Sequence, residues 1–295
     1  MIEVLTGLLT TAVLAGGVLA LGALGEVLSQ RVGVFNLGLE GLYALGGITA
    51  IITVSLVPVP WLGLLAAILV AVVFGALFAF AVVVLRANQT LCGLALTILG
   101  TGLASAVGRP YSGQPAHAEF GGVAIPLLSK IPVLGPAFFS QNLLVYVIWI
   151  ILPAAIHFLL FKTRHGIDVR AVGENPAAAD AAGLPVVALR FWYVVAGAGF
   201  AGAAGAYLTL AFVPSWSDGI TGGRGWIAVA LVIFAGFRPW NAALGALLFG
   251  LITALGFVGQ ARNWPVAPAF LSMLPYLGTL GFMIVPVMLW KGLHR

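Results

Sequence analysis

The sequence predicts an all-α fold, a polytopic transmembrane helical bundle of about eight to ten segments, some of them short or broken. Of the 295 residues, 62% are hydrophobic and only 7% are charged, whereas soluble domains carry about 25% charged residues. The apolar stretches are continuous and lack the two-residue alternation of barrel strands. Because lipid offers no hydrogen bonds, backbone groups must be satisfied within helices or a closed barrel, and the continuous stretches favour helices.

Charge-free intervals of the length that a helix needs to cross a bilayer, about 20 residues, recur along the chain. Between charged residues, such intervals cover 3–26, 86–109, 130–162, 190–218, 238–262 and 262–291. The interval 40–86 is long enough for two spans, with Pro58 and Pro60 at the turn between them, and 224–238 is apolar but short. The sequence therefore predicts about nine segments in a single transmembrane domain, residues 1–295.

The basic residues indicate how the chain is oriented. They flank one loop, 162–190, and occur at the C-terminus, and the positive-inside rule makes both regions cytoplasmic. The predicted segments between these regions cover about 191–212, 224–237, 241–259 and 269–290, and their even number agrees with that assignment. Counting back from the loop places residues 109–140 and the N-terminus outside.

Several classes of function are disfavoured by the composition. Basic residues retained on the cytoplasmic side explain the net charge of +5 without nucleic acid. Glu3, with no Lys or Arg before Arg31, argues against a cleaved signal peptide. The single cysteine, Cys92, excludes an internal disulfide. The histidines are too scattered for a metal site, and no nucleophile–His–acid set lies on one side of the membrane, so we do not expect an enzyme.

The loop at 162–190 contains a short helix with clear start and stop signals. Asn175 is a good N-cap and Pro176 suits the first helical position. Gly183 suits the position after the helix, and Pro185 prevents continuation. A helix of about two turns is not stable alone in water, so we expect it to pack on its own membrane domain or in a groove of a partner protein. An ordinary connector is the alternative, although the loop is long for one.

The segment Gly166-x-x-x-Arg170-Ala-Val-Gly-Glu-Asn-Pro176-x-Ala-Ala-x-Ala-Ala-Gly183 resembles the coupling loop of ABC-importer permeases of the branched-chain amino acid/ribose/nucleoside class. The resemblance implies that the short helix docks into a cleft on a separate ATPase subunit, which binds the ATP. This chain has no Walker sequence and is expected to bind no cofactor. The residues assigned to ATPase coupling are Arg170, Glu174, Asn175, Ala178, Ala179, Asp180 and Gly183.

Residues 25–41 form a first interrupted span. Glu26, Arg31, Asn36 and Glu40 break an otherwise apolar region, and ionisable residues at membrane depth are functional candidates. The alternative is a simple cytoplasmic turn with Glu26 and Arg31 among the lipid headgroups. That alternative fits Glu40 less well, because Glu40 begins the next span.

The same segment, Gly25-Glu-x-x-Ser-x-Arg-x-Gly-Val-x-Asn-Leu-Gly-Leu-Glu-Gly41, is similar to the first signature of nucleoside-type permeases, which depend on basic membrane proteins. Asn88 to Leu96 resembles their internal signature, although this chain has Thr97 where the family implies an amide. Further similarity runs through Gly225 to Ala230 and from Pro239 to Gly250. The resemblance covers about residues 20–290.

A second interrupted span lies at 219–237, where Gly219-Ile-Thr-Gly-Gly-Arg-Gly-Trp226 precedes a short apolar run. Paired short or Gly-interrupted segments are the best sequence indicator of a translocation site. Phe35 and Trp226 could stack on a base ring or belong to a headgroup belt, and for Trp216 the belt is favoured. The candidates for the substrate path are Phe35, Asn36, Glu40, Thr97 and Trp226.

A match to the dinucleotide fingerprint, Gly197-Ala-Gly-Phe-Ala-Gly202, lies inside an apolar span and lacks the preceding strand that the motif needs. Small residues at close spacing let membrane helices approach one another. Gly199, Gly202 and Gly205 are therefore predicted to be helix-packing positions.

The residues and the resemblance together predict the permease subunit of an ABC importer. The implied location is the bacterial cytoplasmic (inner) membrane, with many crossings and a cytoplasmic C-terminus. The solute is expected to be small and polar, in the first place a nucleoside, with simple sugar, nucleobase and vitamin as alternatives. A secondary transporter is less consistent with the sequence, because Glu40 and, in second place, Glu26 are the only candidates to carry a coupling ion.

The resemblance also implies partners besides membrane lipid. They are a cytoplasmic ABC ATPase, an external substrate-binding lipoprotein and a second, related permease subunit that would make a heterodimer. External residues 110–125 and 213–222 are the expected contacts of the binding protein.

Overall fold

The predicted all-α bundle is confirmed by a computed structural model, which describes residues 2–126, 128–267, 270–271, 273–275 and 277–278. In that part of the chain, seven helices are long and apolar enough to cross a membrane, and a shorter apolar helix lies at Arg224–Phe234. The predicted last span, 269–290, lies largely outside the described residues, as do the basic residues at the C-terminus.

The helices follow one another with short connections, apart from the long segments before α6 and between α9 and α10. We number them α1 Ile2–Arg31, α2 Leu39–Leu56, α3 Pro60–Val84, α4 Gln89–Tyr111, α5 Leu134–Phe138, α6 Leu143–Lys162, α7 Arg164–Glu174, α8 Pro176–Ala181, α9 Val186–Phe212, α10 Arg224–Phe234 and α11 Pro239–Ala261.

The loops lie at two ends of the bundle. One end contains the loop at 162–190 with its flanking basic residues, and we call it the basic end. There, Arg190 Nε donates to the carbonyl of Val32 at 3.0 Å and the Phe35 N–H donates to Gln89 Oε1 at 3.3 Å. At the opposite end, the Gly113 N–H donates to the carbonyl of Trp216 at 3.0 Å. The two segments predicted to be external, 110–125 and 213–222, are therefore paired with each other.

Helix α9 lies at the centre, with 83% of its most apolar window buried. Glycines allow its close packing, since a Cβ at Gly205 would overlap the carbonyl oxygen of Tyr43 in α2 and one at Gly202 would overlap that of Ala67 in α3. A Cβ at Gly199 would meet only a side chain, Val72, at 3.3 Å. At Gly199 the packing is thus looser than at the other two predicted positions.

Three boundaries differ from the sequence-based expectation. Helix α1 continues to Arg31, so the first break covers only 32–38, where Gly33 takes a φ of +80°. The loop contains an additional helix, α7, whose capping signal is the hydroxyl of Thr163 accepting from the Gly166 N–H at 3.0 Å. Helix α9 begins at Val186, which places Arg190 inside a helix.

Candidate translocation path and coupling site

Helix α10 begins at a glycine turn that is capped by a carboxylate from another helix. Its N-cap, Gly223, has a φ of +77°, a conformation that side-chain-bearing residues rarely adopt. Oε1 of Glu40 accepts from the Gly223 N–H and Oε2 accepts from the Gly225 N–H, both at 2.7 Å. Because the first N–H groups of a helix lack intrahelical partners and carry partial positive charge, this carboxylate stabilises the start of α10.

The other end of α10 is held by an arginine. Arg31 Nε donates to the carbonyl of Phe237 at 3.0 Å, and its Nη2 donates to that of Gly236 at 3.4 Å. These carbonyls follow the last turn of α10, where a cation is electrostatically favourable. The two ends of α10 are therefore held by Arg31 and Glu40, which lie on either side of the first break.

The first break is lined by buried polar groups. Glu26 is fully buried, and its Oε1 accepts from Gln30 Nε2 and from the Asn36 N–H, both at 3.0 Å. The headgroup alternative for Glu26 is wrong, because its neighbours in the bundle cover it completely. Asn36 is also fully buried, and its Oδ1 accepts from the Gly38 N–H at 2.9 Å. Asn36 thus stabilises the turn into α2.

Two of the predicted path residues converge on one backbone carbonyl. The Thr97 hydroxyl donates to the carbonyl of Leu37 at 2.8 Å, and Trp226 Nε1 donates to the same oxygen at 3.3 Å. The structure thus brings Asn36, Glu40, Thr97 and Trp226 together around residue 37. Phe35, next to Asn36 in the chain, is 36% exposed, and Trp226 is 48% exposed.

The predicted helix in the loop is confirmed as α8. Asn175 Oδ1 accepts from the Ala178 N–H at 3.0 Å, and Gly183, with a φ of +83°, ends the helix as expected. Most of the residues assigned to ATPase coupling are exposed, namely Glu174, Asn175, Ala178, Asp180 and Gly183. Arg170 is half-buried, and Ala179, only 4% exposed, packs into the hydrophobic core, so it anchors α8 on its own bundle.

Helix α7 connects α8 to the first break. A Cβ at Gly173 would overlap the carbonyl oxygen of Arg31, so the backbones of α7 and α1 are in direct contact. Arg170 and Arg31 lie against the same Phe161 ring, with guanidinium carbons 5.3 and 5.1 Å from its centre. The loop therefore contacts the residue that holds α10, a connection that the sequence indicated only through a glycine at position 173.

A pocket opens at the end of the bundle opposite the basic end. It has a volume of about 500 Å³ and is lined by Ser105, Ala106, Gly108, Arg109, Ser112, Trp216 and Asp218. The Ser105 hydroxyl donates to Asp218 Oδ1. The belt interpretation of Trp216 is wrong, because its ring is 2% exposed and lies against Gly108. No sequence motif indicated this pocket, whose walls are 113 residues apart in the chain.

Beneath the pocket, a smaller cavity of about 60 Å³ extends between α4 and the segment before α10. It is lined by Ala44, Thr101, Ala104, Ser105, Trp216, Asp218, Gly219, Ile220 and Thr221. Farther along, α2 and α4 touch, because a Cβ at Gly100 would lie 2.7 Å from the Cα of Gly41. The cavity therefore ends near the level at which Glu40 caps α10.

A bundle of spanning helices, two interrupted spans joined to each other and a capped loop helix define a multi-pass transport subunit. The family model described as the permease component of the branched-chain amino acid transport system matches residues 8–282. The chain belongs to this family and is an ABC transporter permease. Permease subunits are not catalytic themselves, and the family implies an ATPase and a substrate-binding partner.

Relatives of this chain are permeases named for two kinds of solute. A putative glucose ABC transporter permease of Haloferax volcanii is 38% identical, over 94% of this chain and 90% of its own length. A nucleoside ABC transporter permease of Lactococcus lactis is 35% identical over 88% and 85%, respectively. A guanosine ABC transporter permease of Bacillus subtilis is 31% identical over 95% and 91%. The resemblance found in the sequence is therefore confirmed.

Proposed function

We propose that this chain forms the path of an ABC importer for a small polar solute that carries a hydroxylated ring, in the first place a nucleoside. The proposal is based on the contacts that connect the loop at 162–190 with the second interrupted span, 219–237. Helix α8 displays Asn175 and Asp180 to the solvent, and α7 passes displacement to Arg31 through the backbone contact at Gly173. Arg31 in turn holds the end of α10.

Movement of α10 would reach the solute path without further intermediates. Its first turn is bonded to Glu40, and the residues just before it, Gly219 to Thr221, line the inner cavity. Because a packed helix transmits displacement along its length, closure of an ATPase dimer against α8 would shift the cavity wall. A secondary transporter has no need for such a connection to a surface helix.

The class of solute rests on what the relatives share. The nucleoside and guanosine permeases and the putative glucose permease handle, by their names, solutes that carry a hydroxylated sugar ring. The two signatures at 25–41 and 88–96 favour the nucleoside. A simple sugar is the second candidate, favoured by the 38% identity to the putative glucose permease.

The proposed assembly has four components. The basic end of this chain faces the cytoplasm and meets an ATPase that binds ATP, while this chain binds no cofactor. The opposite end faces a substrate-binding lipoprotein. A second, related permease completes the path, and exposed apolar side chains on α4, such as Leu91, Ile98 and Val107, are available to that subunit or to lipid. The proposed location is the cytoplasmic membrane.

The test is uptake by the full complex in proteoliposomes. The ATPase lies on the inner side of the vesicle membrane, and ATP is enclosed with it. We expect this ATP to drive accumulation of uridine or inosine inside the vesicles, with glucose and leucine as comparison solutes. Accumulation that continues without the ATPase, or that follows a proton or sodium gradient, would contradict the proposal. Accumulation of glucose alone would leave the importer in place and change the solute from nucleoside to sugar.

A further inference from the structure

The pocket opposite the basic end is built differently from the apolar surface around it. It joins Asp218, Arg109 and two serine hydroxyls, from Ser105 and Ser112, with a wall made by Trp216. Its volume, about 500 Å³, lies within the usual range of small-molecule sites, about 300–1,000 Å³. Polar groups that converge in a concave site at the mouth of a transport path are candidates for solute contacts.

We propose that this pocket is the first solute site in the chain and that it binds the hydroxylated ring of the solute, with Asp218 and Ser105 as the hydrogen-bonding residues. The proposal rests on the proposed function and assigns it a location and a specificity element. A ribose ring and a hexose ring present the same chemistry, adjacent hydroxyl groups, and the experiments below distinguish them.

The donors and acceptors of the pocket fit a neutral polyhydroxylated ligand. A carboxylate has two acceptor oxygens with about four lone-pair sites, so Asp218 can accept from a ring hydroxyl in addition to Ser105. Arg109 supplies donors for ring oxygens. The presence of one carboxylate and one guanidinium favours neither an anionic nor a cationic solute, whereas a cluster of cations would favour a phosphate.

A row of polar side chains leads from this pocket into the bundle. Thr97, Thr101, Ser105 and Arg109 follow one another at intervals of four residues in α4, which places them on one helical face. Arg109 lines the pocket, Thr101 lines the inner cavity and Thr97 bonds the carbonyl of Leu37. The row thus connects the pocket to the place where the predicted path residues meet.

The pocket is also continuous with the segment that leads into α10, the helix that we propose to move. Asp218 precedes Gly219, which has a φ of +70°, and the same segment continues into Gly223 and the first turn of α10. A ring hydroxyl bound to Asp218 would therefore bear on the segment that Glu40 holds. Solute binding in the pocket would thus act directly on α10.

Protection of an introduced thiol tests the pocket without the binding lipoprotein. In a Cys92→Ser background of the full permease–ATPase complex, Ala106→Cys, at an exposed position that lines the pocket without a proposed bond to the solute, is labelled by a membrane-impermeant maleimide from the side opposite the ATPase. We expect millimolar uridine to slow labelling at least about threefold and 2′,3′-dideoxyuridine to have no effect. Slowing by glucose as well as uridine would support recognition of the shared ring chemistry, and slowing by glucose alone would assign the site to a hexose.

Equal protection by uridine and its dideoxy analogue would overturn the proposal, because the base would then be the group recognised. Absence of protection by any of the three solutes would overturn it too. Uptake by the same complex supplied with the binding lipoprotein separates this failure from failure of the proposed function, since ATP-driven nucleoside uptake in the absence of protection would contradict the pocket alone.

Uptake by variants provides a second measurement. We expect Asp218→Asn to lower kcat/KM for ribonucleoside uptake at least about tenfold, while Glu3→Gln, at an exposed position of α1 outside the pocket, leaves it unchanged. If Asp218→Asn prevents assembly, Thr101→Val and Ser112→Ala replace it in the test. We expect each of them to lower kcat/KM for uptake, by less than Asp218→Asn. Wild-type uptake by all three variants would overturn the proposal.

Discussion

The carboxylate of Glu40 in α2 accepts a hydrogen bond at 2.7 Å from the backbone N–H of Gly225 in α10. This bond, with its counterpart at Gly223, joins two interrupted spans that are 185 residues apart in the chain. Glu40 is buried, with 5% of its surface exposed. It provides hydrogen-bond acceptors for helix N–H groups, which lipid could not provide. The two breaks therefore form one structural unit rather than separate irregularities.

Replacing Glu40 with Gln tests that unit. An amide keeps one acceptor oxygen but loses the charge and the second acceptor, so we expect a loss of about 1–3 kcal/mol in the stability of the bundle and at least a tenfold decrease in uptake. Thermal unfolding of the purified complex and vesicle uptake provide the measurements. Glu3→Gln, at an exposed position of α1, is the control, and equal behaviour of the two variants would show that the cap is dispensable.

A methyl group at the junction of α7 and α1 should uncouple the loop from the path. Gly173→Ala favours the helical state by about 1 kcal/mol through propensity, yet its Cβ would overlap the Arg31 carbonyl. We expect the complex to hydrolyse ATP at its basal rate without stimulation by solute-loaded binding protein. The matched change Gly7→Ala, where nothing lies within 4 Å, should leave stimulation intact. Full stimulation in Gly173→Ala would mean that the contact does not transmit movement.

The N-cap of α8 should control how well the ATPase is held. Replacement of Asn175 with Ala removes the acceptor for the Ala178 N–H and costs about 1 kcal/mol in helix stability. We expect the affinity for the ATPase to fall about fivefold, measured by dissociation of the purified complex. Asn175→Asp, which retains a capping oxygen, should restore part of it. If Ala and Asp behave alike, capping is not the relevant property of Asn175.

The contact between α2 and α4 should tolerate no added methyl group. Gly100→Ala would bring a Cβ to 2.7 Å from backbone atoms of Gly41, and such overpacking costs about 1–3 kcal/mol. Gly102, two residues away in the same helix, has nothing within 4 Å and serves as the control. We expect only Gly100→Ala to lower the unfolding temperature of the complex, and a decrease shared by both variants would attribute the effect to α4 itself.

The spans and the helix α8 could be predicted from the sequence because both depend on local physics. Lipid requires long apolar helices, and Asn175, Pro176 and Gly183 act within one short segment. The contacts that join distant segments could not be predicted in the same way. Glu40 was a candidate because it is ionisable in an apolar region, but its partners at Gly223 and Gly225 depend on packing.

The errors have the same origin. The headgroup belt was favoured for Trp216, and lipid headgroups were the alternative for Glu26, because each stands near the predicted end of a span. Both side chains are buried. The pair Ser105–Asp218 had no local signal. A polar residue every fourth position in α4, from Thr97 to Arg109, is a pattern that could have indicated that face.

The most direct test of energy coupling through α8 is ATP hydrolysis by the reconstituted complex with residues 176–182 replaced by a Gly/Ser linker of equal length. We expect hydrolysis to lose its stimulation by solute-loaded binding protein and uptake to stop, while the membrane helices still assemble with the second permease. Uptake at the wild-type rate in the linker variant would show that α8 does not couple ATP hydrolysis to transport.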